Sequence, residues 1–174
     1  MANMFLSLTN IHGESRDHIH HGEIEIHDWE WGMTNSASFR LEAADAAKQT
    51  QTDHLMVHKV FDKSSPTLMN YCAHGRKIDK AIVTCRKNDG HHQVEYLKIE
   101  LTGVKINSVK WTPKGEDLKG IPETVDLSFF YFKIIYETQI QDGSLAGKTE
   151  FEWDVSKEKA AAAGAGGGAG GGSK

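Results

Sequence analysis

The stretch Ser64-Ser65-Pro66-Thr67-Leu68-Met69-Asn70-Tyr71-Cys72-Ala73-His74-Gly75 decides the fold, because it is one bounded helix signal in a chain that otherwise reads as strands. Ser64 or Ser65 can cap the first exposed amides, Pro66 suits the first helical position, and Gly75 can take the left-handed conformation that closes the last turn. Leu68, Met69 and Cys72 recur at helical spacing, so this helix should lie against a sheet or plug the mouth of a barrel.

On the N-terminal side of the helix, Gly22 to Met33 alternates like one long strand whose phase changes: Ile24 and Ile26 share one parity, Trp29 and Trp31 the other. A bulge near His27-Asp28 reconciles the two, and Glu30 then points away from both tryptophans. Thr34 to Thr52 lacks a strand period; Leu41 to Lys48 could form a turn of helix, but the whole reads as a long functional loop. Asp53 to Asp62 resumes as a strand with Leu55, Val57 and Phe61 on one face and His54 and His58 on the other.

Beyond the helix, Ile78 to Lys87 turns Ala81, Val83 and Cys85 inward, and Asn88-Asp89-Gly90 signals a hairpin. The returning strand carries Leu97, Ile99 and Leu101, then Val104, Ile106 and Val109. Pro113 to Pro122 reads as a surface loop. Val125 to Tyr136 is a strand that again switches parity, leaving Phe130, Tyr131 and Ile135 on a second face that needs a cover. Either the helix or another subunit must supply it. A turn at Asp142-Gly143 leads to a last strand with Phe151, Trp153 and Val155.

With 174 residues and 39% hydrophobic content, the chain is long enough for one domain with a real core. We expect residues 1–156 to fold together and 157–174, rich in Lys, Glu, Ala and Gly, to be a flexible tail. A net charge of -4 gives no general attraction to nucleic acid or anionic lipid. The opening residues have no basic start and too short an apolar run for a leader or a membrane span, so cytoplasmic synthesis and no membrane insertion are expected. Cys72 and Cys85 lie far apart in sequence and read as free buried thiols.

Catalytic chemistry finds little support. His18, His20, His21 and His27 invite a metal hypothesis, but no HExxH or matched Cys and His spacing occurs, and solvated loop histidines are the simpler reading. No Gly-x-Ser-x-Gly is present, the carboxylates are scattered, and the Gly164 to Gly172 run follows no nucleotide-binding strand. We therefore expect no enzyme activity, no cofactor and no metal. Trp29 and Trp31 are core anchors, and what Glu30 faces becomes the functional question.

Taken together, Phe5 to Ser15, Gly22-Glu23-Ile24 leading to Trp29-Glu30-Trp31-Gly32-Met33, Asp62-Lys63-Ser64-Ser65-Pro66, Leu68-Met69, Arg86-Lys87 and Val94 to Ile99 resemble the haemolysin-coregulated protein (Hcp) family, the tube protein of the type VI secretion system. The resemblance runs from about Met1 to Val155. It implies a mainly β fold, a two-sheet antiparallel β-barrel with one short α-helix, assembling into a homo-hexameric ring. It also implies stacking of rings into a tube within a contractile sheath beneath a tip spike protein, and secretion without a signal peptide. Small effector proteins would ride in the lumen, and by the family pattern Glu30 would line it. Phe130, Tyr131 and Ile135 would lie at the subunit interface, and Phe39 and Leu41 in the loop that makes ring contacts. The alternatives are a monomeric β-sandwich module binding a ligand such as a sugar through Trp and Tyr side chains, and a histidine-metal hydrolase.

Overall fold

A computed structural model describes residues 3–35, 50–88, 93–113, 115, 120–139 and 145–157. The chain runs β1 (Met4–Leu8), β2 (Ile24–Glu30), β3 (Met33–Asn35), β4 (Thr50–Thr52), β5 (Leu55–Val60), α1 (Ser65–His74), β6 (Lys77–Asn88), β7 (Gln93–Trp111), β8 (Pro122–Ser128), β9 (Tyr131–Gln139) and β10 (Leu145–Asp154). Asp89-Gly90, Asp142-Gly143, the 41–48 segment, Phe39, Leu41 and the tail from 158 onward lie outside the described residues.

All the strand pairings are antiparallel, and the ladders run β7-β6-β1-β2-β5-β8 and then return from β8 to β7. This curled antiparallel sheet encloses the core expected from the alternation, including Leu6, Ile24, Val57, Leu101 and Leu127. β7 takes part twice on the same side: residues 97–102 pair with β9, and 105–111 pair with β8. Gly103 sits between the two halves at φ +67, and the Phe130 ring occupies the space where a Cβ would stand, 2.6 Å from it. Gly103→Ala should cost about 1–2 kcal/mol from the left-handed backbone alone, read as a lower urea midpoint; an unchanged midpoint would show that this corner relaxes freely.

The bulge expected near His27-Asp28 is present as a register shift between Ile26 and Asp28 against β5. The helix runs Ser65–His74 and closes on Gly75 at φ 58, whose amide and that of Arg76 donate to Cys72 and Tyr71 carbonyls. Its N-terminus differs from expectation. Ser64 has helical φ and ψ and makes no side-chain cap, because its hydroxyl donates to Asp62 Oδ1. The Ser65 hydroxyl is taken up by a buried charge pair.

That pair also explains why Phe61 is not on the inner face of its strand. Leu55, Val57 and Lys59 hold the inward positions of β5, whereas Phe61 lies past the strand end and is 41% exposed. Lys59 is fully buried. Its Nζ donates to Glu123 Oε2 (2.5 Å), Asp62 Oδ1 (2.9 Å) and Ser65 Oγ (3.0 Å). Ser65 Oγ and Trp111 Nε1 donate to the two Glu123 oxygens at 2.6 and 3.0 Å. All three donors of the ammonium are used, so a buried cation is tolerated where an apolar side chain would be expected.

Two further expectations change. Thr34 to Thr52 is not loop throughout, since β3 and β4 pair at its ends as a separate two-stranded ribbon. Val125 to Tyr136 is not one strand: β8 ends at Ser128 and β9 begins at Tyr131. The parity switch is the corner between them, where Phe130 N donates to Thr102 O and Val155 N donates to Phe130 O. A chain reversal and a bulge leave the same mark on alternation, which is why the residues alone did not separate them.

Candidate functional site

Residues directly opposite in an antiparallel pair share a face, so the registers define what the outside of the barrel presents. Glu30 opposes Met56, Met56 opposes Asp126, and Asp126 opposes Ser108. One row further on, Asp28 opposes His58, His58 opposes Thr124, and Thr124 opposes Lys110. These two rows cross β2, β5, β8 and β7, and every member except Met56 is polar or charged. Beneath them run the core rows Trp29-Val57-Val125-Val109 and Leu55-Leu127-Ile106.

Glu30 projects from this wall, with its side chain 73% exposed and one oxygen 3.5 Å from His58 Nε2. Its direction follows from the tryptophans on either side, which turn toward the core. Trp31 packs edge-on against Phe132 and Phe129, with centroids 4.6 and 5.8 Å away, and its Nε1 donates to the Asp53 carbonyl at 3.0 Å. Around Glu30 the polar groups are held by one another. The His58 ring is 3.1 Å from Thr124 Oγ1. Asn107 lies at a second bulge, where its amide nitrogen reaches Asp126 Oδ1 (3.2 Å) and the His54 ring (3.0 Å), and its amide oxygen accepts from Ser128 (3.0 Å). The arrangement is a polar wall whose side chains hold one another in place. Thr124, Asp126 and Ser128 were not singled out from sequence, although their alternation with Glu123, Val125 and Leu127 carries that signal.

Phe130, Tyr131 and Ile135 do not form one apolar patch. Tyr131 and Ile135 share their face with Lys133, Glu150 and Glu152, an ionic ladder across β9 and β10. The Tyr131 hydroxyl donates to Glu152 at 2.6 Å, and that carboxylate pushes the phenol up to about 12. Lys133 pairs with Glu150 at 2.6 Å, which raises the amine and lowers the carboxyl. Phe130 stands at the β8–β9 corner, 47% exposed. On the opposite face of this sheet extension Tyr136 and Phe151 are left 42% and 48% exposed, continuing outward from Phe132 and Trp153. The helix packs on β7, so it does not cover Phe151.

Of the histidines that raised the metal hypothesis, His18, His21 and His27 are exposed and His20 is buried. His20 is thus not a solvated loop residue; its ring stacks on Phe5 with centroids 4.3 Å apart. Among the described residues no three metal-ligating side chains converge, and no helix is long and apolar enough to cross a membrane. Cys85 is buried, which raises its thiol, and Cys72 is part-buried; both are free.

Comparison with known proteins follows the same outline. Residues 5–137 match the family described as type VI secretion system effector, Hcp. The chain is 33% identical over 161 residues to Protein hcp1 of Pseudomonas aeruginosa, covering 92% of this chain and 99% of that one. Among solved structures it is similar to Hcp1 from Salmonella typhimurium, with 30% identity, 90% and 97% of the two chains covered, and a TM-score of 0.71. It is also similar to a type VI secretion system effector from Yersinia pestis, with 26% identity, coverage of 88% and 100%, and a TM-score of 0.72.

Proposed function

This chain belongs to the Hcp family of type VI secretion system proteins, and from that premise we propose that it is the structural subunit of the exported tube. Six copies form a ring, rings stack, and the polar wall around Glu30 lines the channel that carries effector proteins. A spike protein at the tip and a contractile sheath are its partners, and it leaves the cell through the apparatus.

The observation that carries this reading is the division of the surface. The β2-β5-β8-β7 wall is polar and internally hydrogen-bonded, as suits a water-filled lumen along which cargo must be able to move. The β9–β10 extension instead leaves Tyr136 and Phe151 in water on one face, carries Tyr131 and Ile135 on the other and has Phe130 at its corner, as suits an extension held between neighbouring subunits. A cyclic ring repeats one head-to-tail contact and closes, whereas stacking need not close and so yields a tube. Native mass spectrometry of the purified chain should give a six-fold assembly, and electron micrographs should show annular particles. A monomer at roughly micromolar concentration would count decisively against the ring.

Reversing the charge at Glu30 tests the channel. Glu30→Arg should change the retention of co-produced effectors by on the order of tenfold in co-purification, with the mass of the ring unchanged. Loss of the ring would place Glu30 in a subunit contact instead.

A further inference from the structure

The connection between β1 and β2 is a strap, residues 12–22, laid over the outer face of β1, β6 and β7. It is tied to itself by Gly13 N to Gly22 O (2.8 Å), Gly22 N to Ser15 O (2.9 Å) and Ser15 N to Glu23 O (3.1 Å). Two side chains tie it to the sheet. Asp17 holds Arg86 of β6 through two contacts of 3.1 and 2.6 Å. His20 places Nδ1 2.9 Å from Glu23 Oε2 and Nε2 3.1 Å from Glu95 Oε1 of β7. The strap covers Phe5, which is fully buried beneath the His20 ring and the Arg86 guanidinium. The tip residue Ile19 forms one wall of a groove of about 300 Å³ whose other side includes Lys98 and Ile135.

A neutral imidazole has one N–H and cannot donate to both carboxylates, whereas the imidazolium donates to both. We infer that His20 is a proton-operated latch, which in its charged form holds the strap down on the sheet and in its neutral form releases it. The surrounding charges support the charged form. Glu23 comes from the strap's own exit, Glu95 from β7 with Lys98 on its second oxygen at 2.6 Å, and Arg86 from β6 with Asp17 from the strap. With His20 protonated, three cations meet three carboxylates; without that proton, two cations face three, and one carboxylate beside the ring loses its donor.

The sign follows from which species each group needs. A latch that requires a proton is strongest at low pH and is lost as pH rises through the imidazole range. The carboxylates set the lower limit. Hydrogen bonds from Arg86 hold the Asp17 carboxyl far below its usual value. Burial alone would raise Glu95, but the hydrogen bonds and charges of Lys98 and His20 outweigh it and hold that carboxyl low as well. Both carboxyls therefore stay ionised below the usual carboxylate range.

Amide hydrogen exchange on the full-length protein, corrected for intrinsic rates, tests the latch. Protection of the Gly13, Ser15 and Gly22 amides should fall by about tenfold or more between pH ~5.5 and ~8, while the β6 and β7 amides stay protected. In His20→Gln the strap amides should lose this pH response. Equal strap protection at both pH values, or an unaltered response in His20→Gln, overturns the proposal. Should that variant fail to fold, nitrogen-15 spectra of the wild-type His20 ring at pH ~5.5 decide it: two protonated nitrogens support the latch, and a neutral tautomer refutes it. Ring mass is not part of this readout, so the latch and the tube reading fail separately.

Discussion

Lys59→Met should lower the free energy of unfolding by about 3–5 kcal/mol, because it leaves Glu123 as an uncompensated charge in the interior. Lys59 and Glu123 are both fully buried as side chains, and the pair is closed by Asp62, Ser65 and Trp111. The cluster joins β5, β8, the end of β7 and the first turn of α1, so its loss should loosen the seam at which the helix meets the barrel. Removing both charges together, as in Lys59→Met with Glu123→Leu, should cost less than the sum of the singles by about 0.5–3 kcal/mol. Urea unfolding of the two singles and the double, at one protomer concentration, measures both quantities. Single substitutions that fall within about 1 kcal/mol of the parent would mean that water reaches the pair.

Phe151→Asp should abolish the proposed ring while leaving the protomer folded. Phe151 is 48% exposed and lies beyond the enclosed core, with ring contacts to Phe132 and Trp153 at 5.8 and 6.3 Å between centroids. Its replacement therefore costs the isolated barrel little. In a ring the same position occurs at each of the repeated contacts, and a carboxylate placed in an apolar contact loses its hydration without gaining a partner. Each large apolar side chain removed from water contributes about 1.5–3 kcal/mol, so in the proposed six-fold ring six equal losses would act on a single closed assembly. Light scattering should report protomer mass for Phe151→Asp, with a thermal midpoint near that of the parent protomer. An intact ring would move the subunit contact away from the β9–β10 extension.

Much of the architecture was legible from residue order. The helix limits followed from Pro66 and Gly75, which act through their own backbone restrictions and need no partner. The bulge in β2 followed from the parity of four apolar side chains, since a one-residue slip would expose either the isoleucines or the tryptophans. The outward direction of Glu30 is a consequence of the same parity.

Three features were not legible, and each depends on a group distant in the chain. Lys59 occupies a core position only because Glu123, 64 residues away, is buried opposite it. His20 leaves solvent only because Phe5 and Glu95 come together beneath the strap. The parity switch in Val125 to Tyr136 arises because β8 and β9 are separate strands on successive halves of β7, a reversal that alternation cannot distinguish from a bulge. Periodicity and backbone preference are local and so were determined by the sequence alone. Which polar side chain is satisfied in the interior, and which apolar one is left uncovered, was decided only by tertiary pairing, because both depend on what the fold brings within a few ångströms.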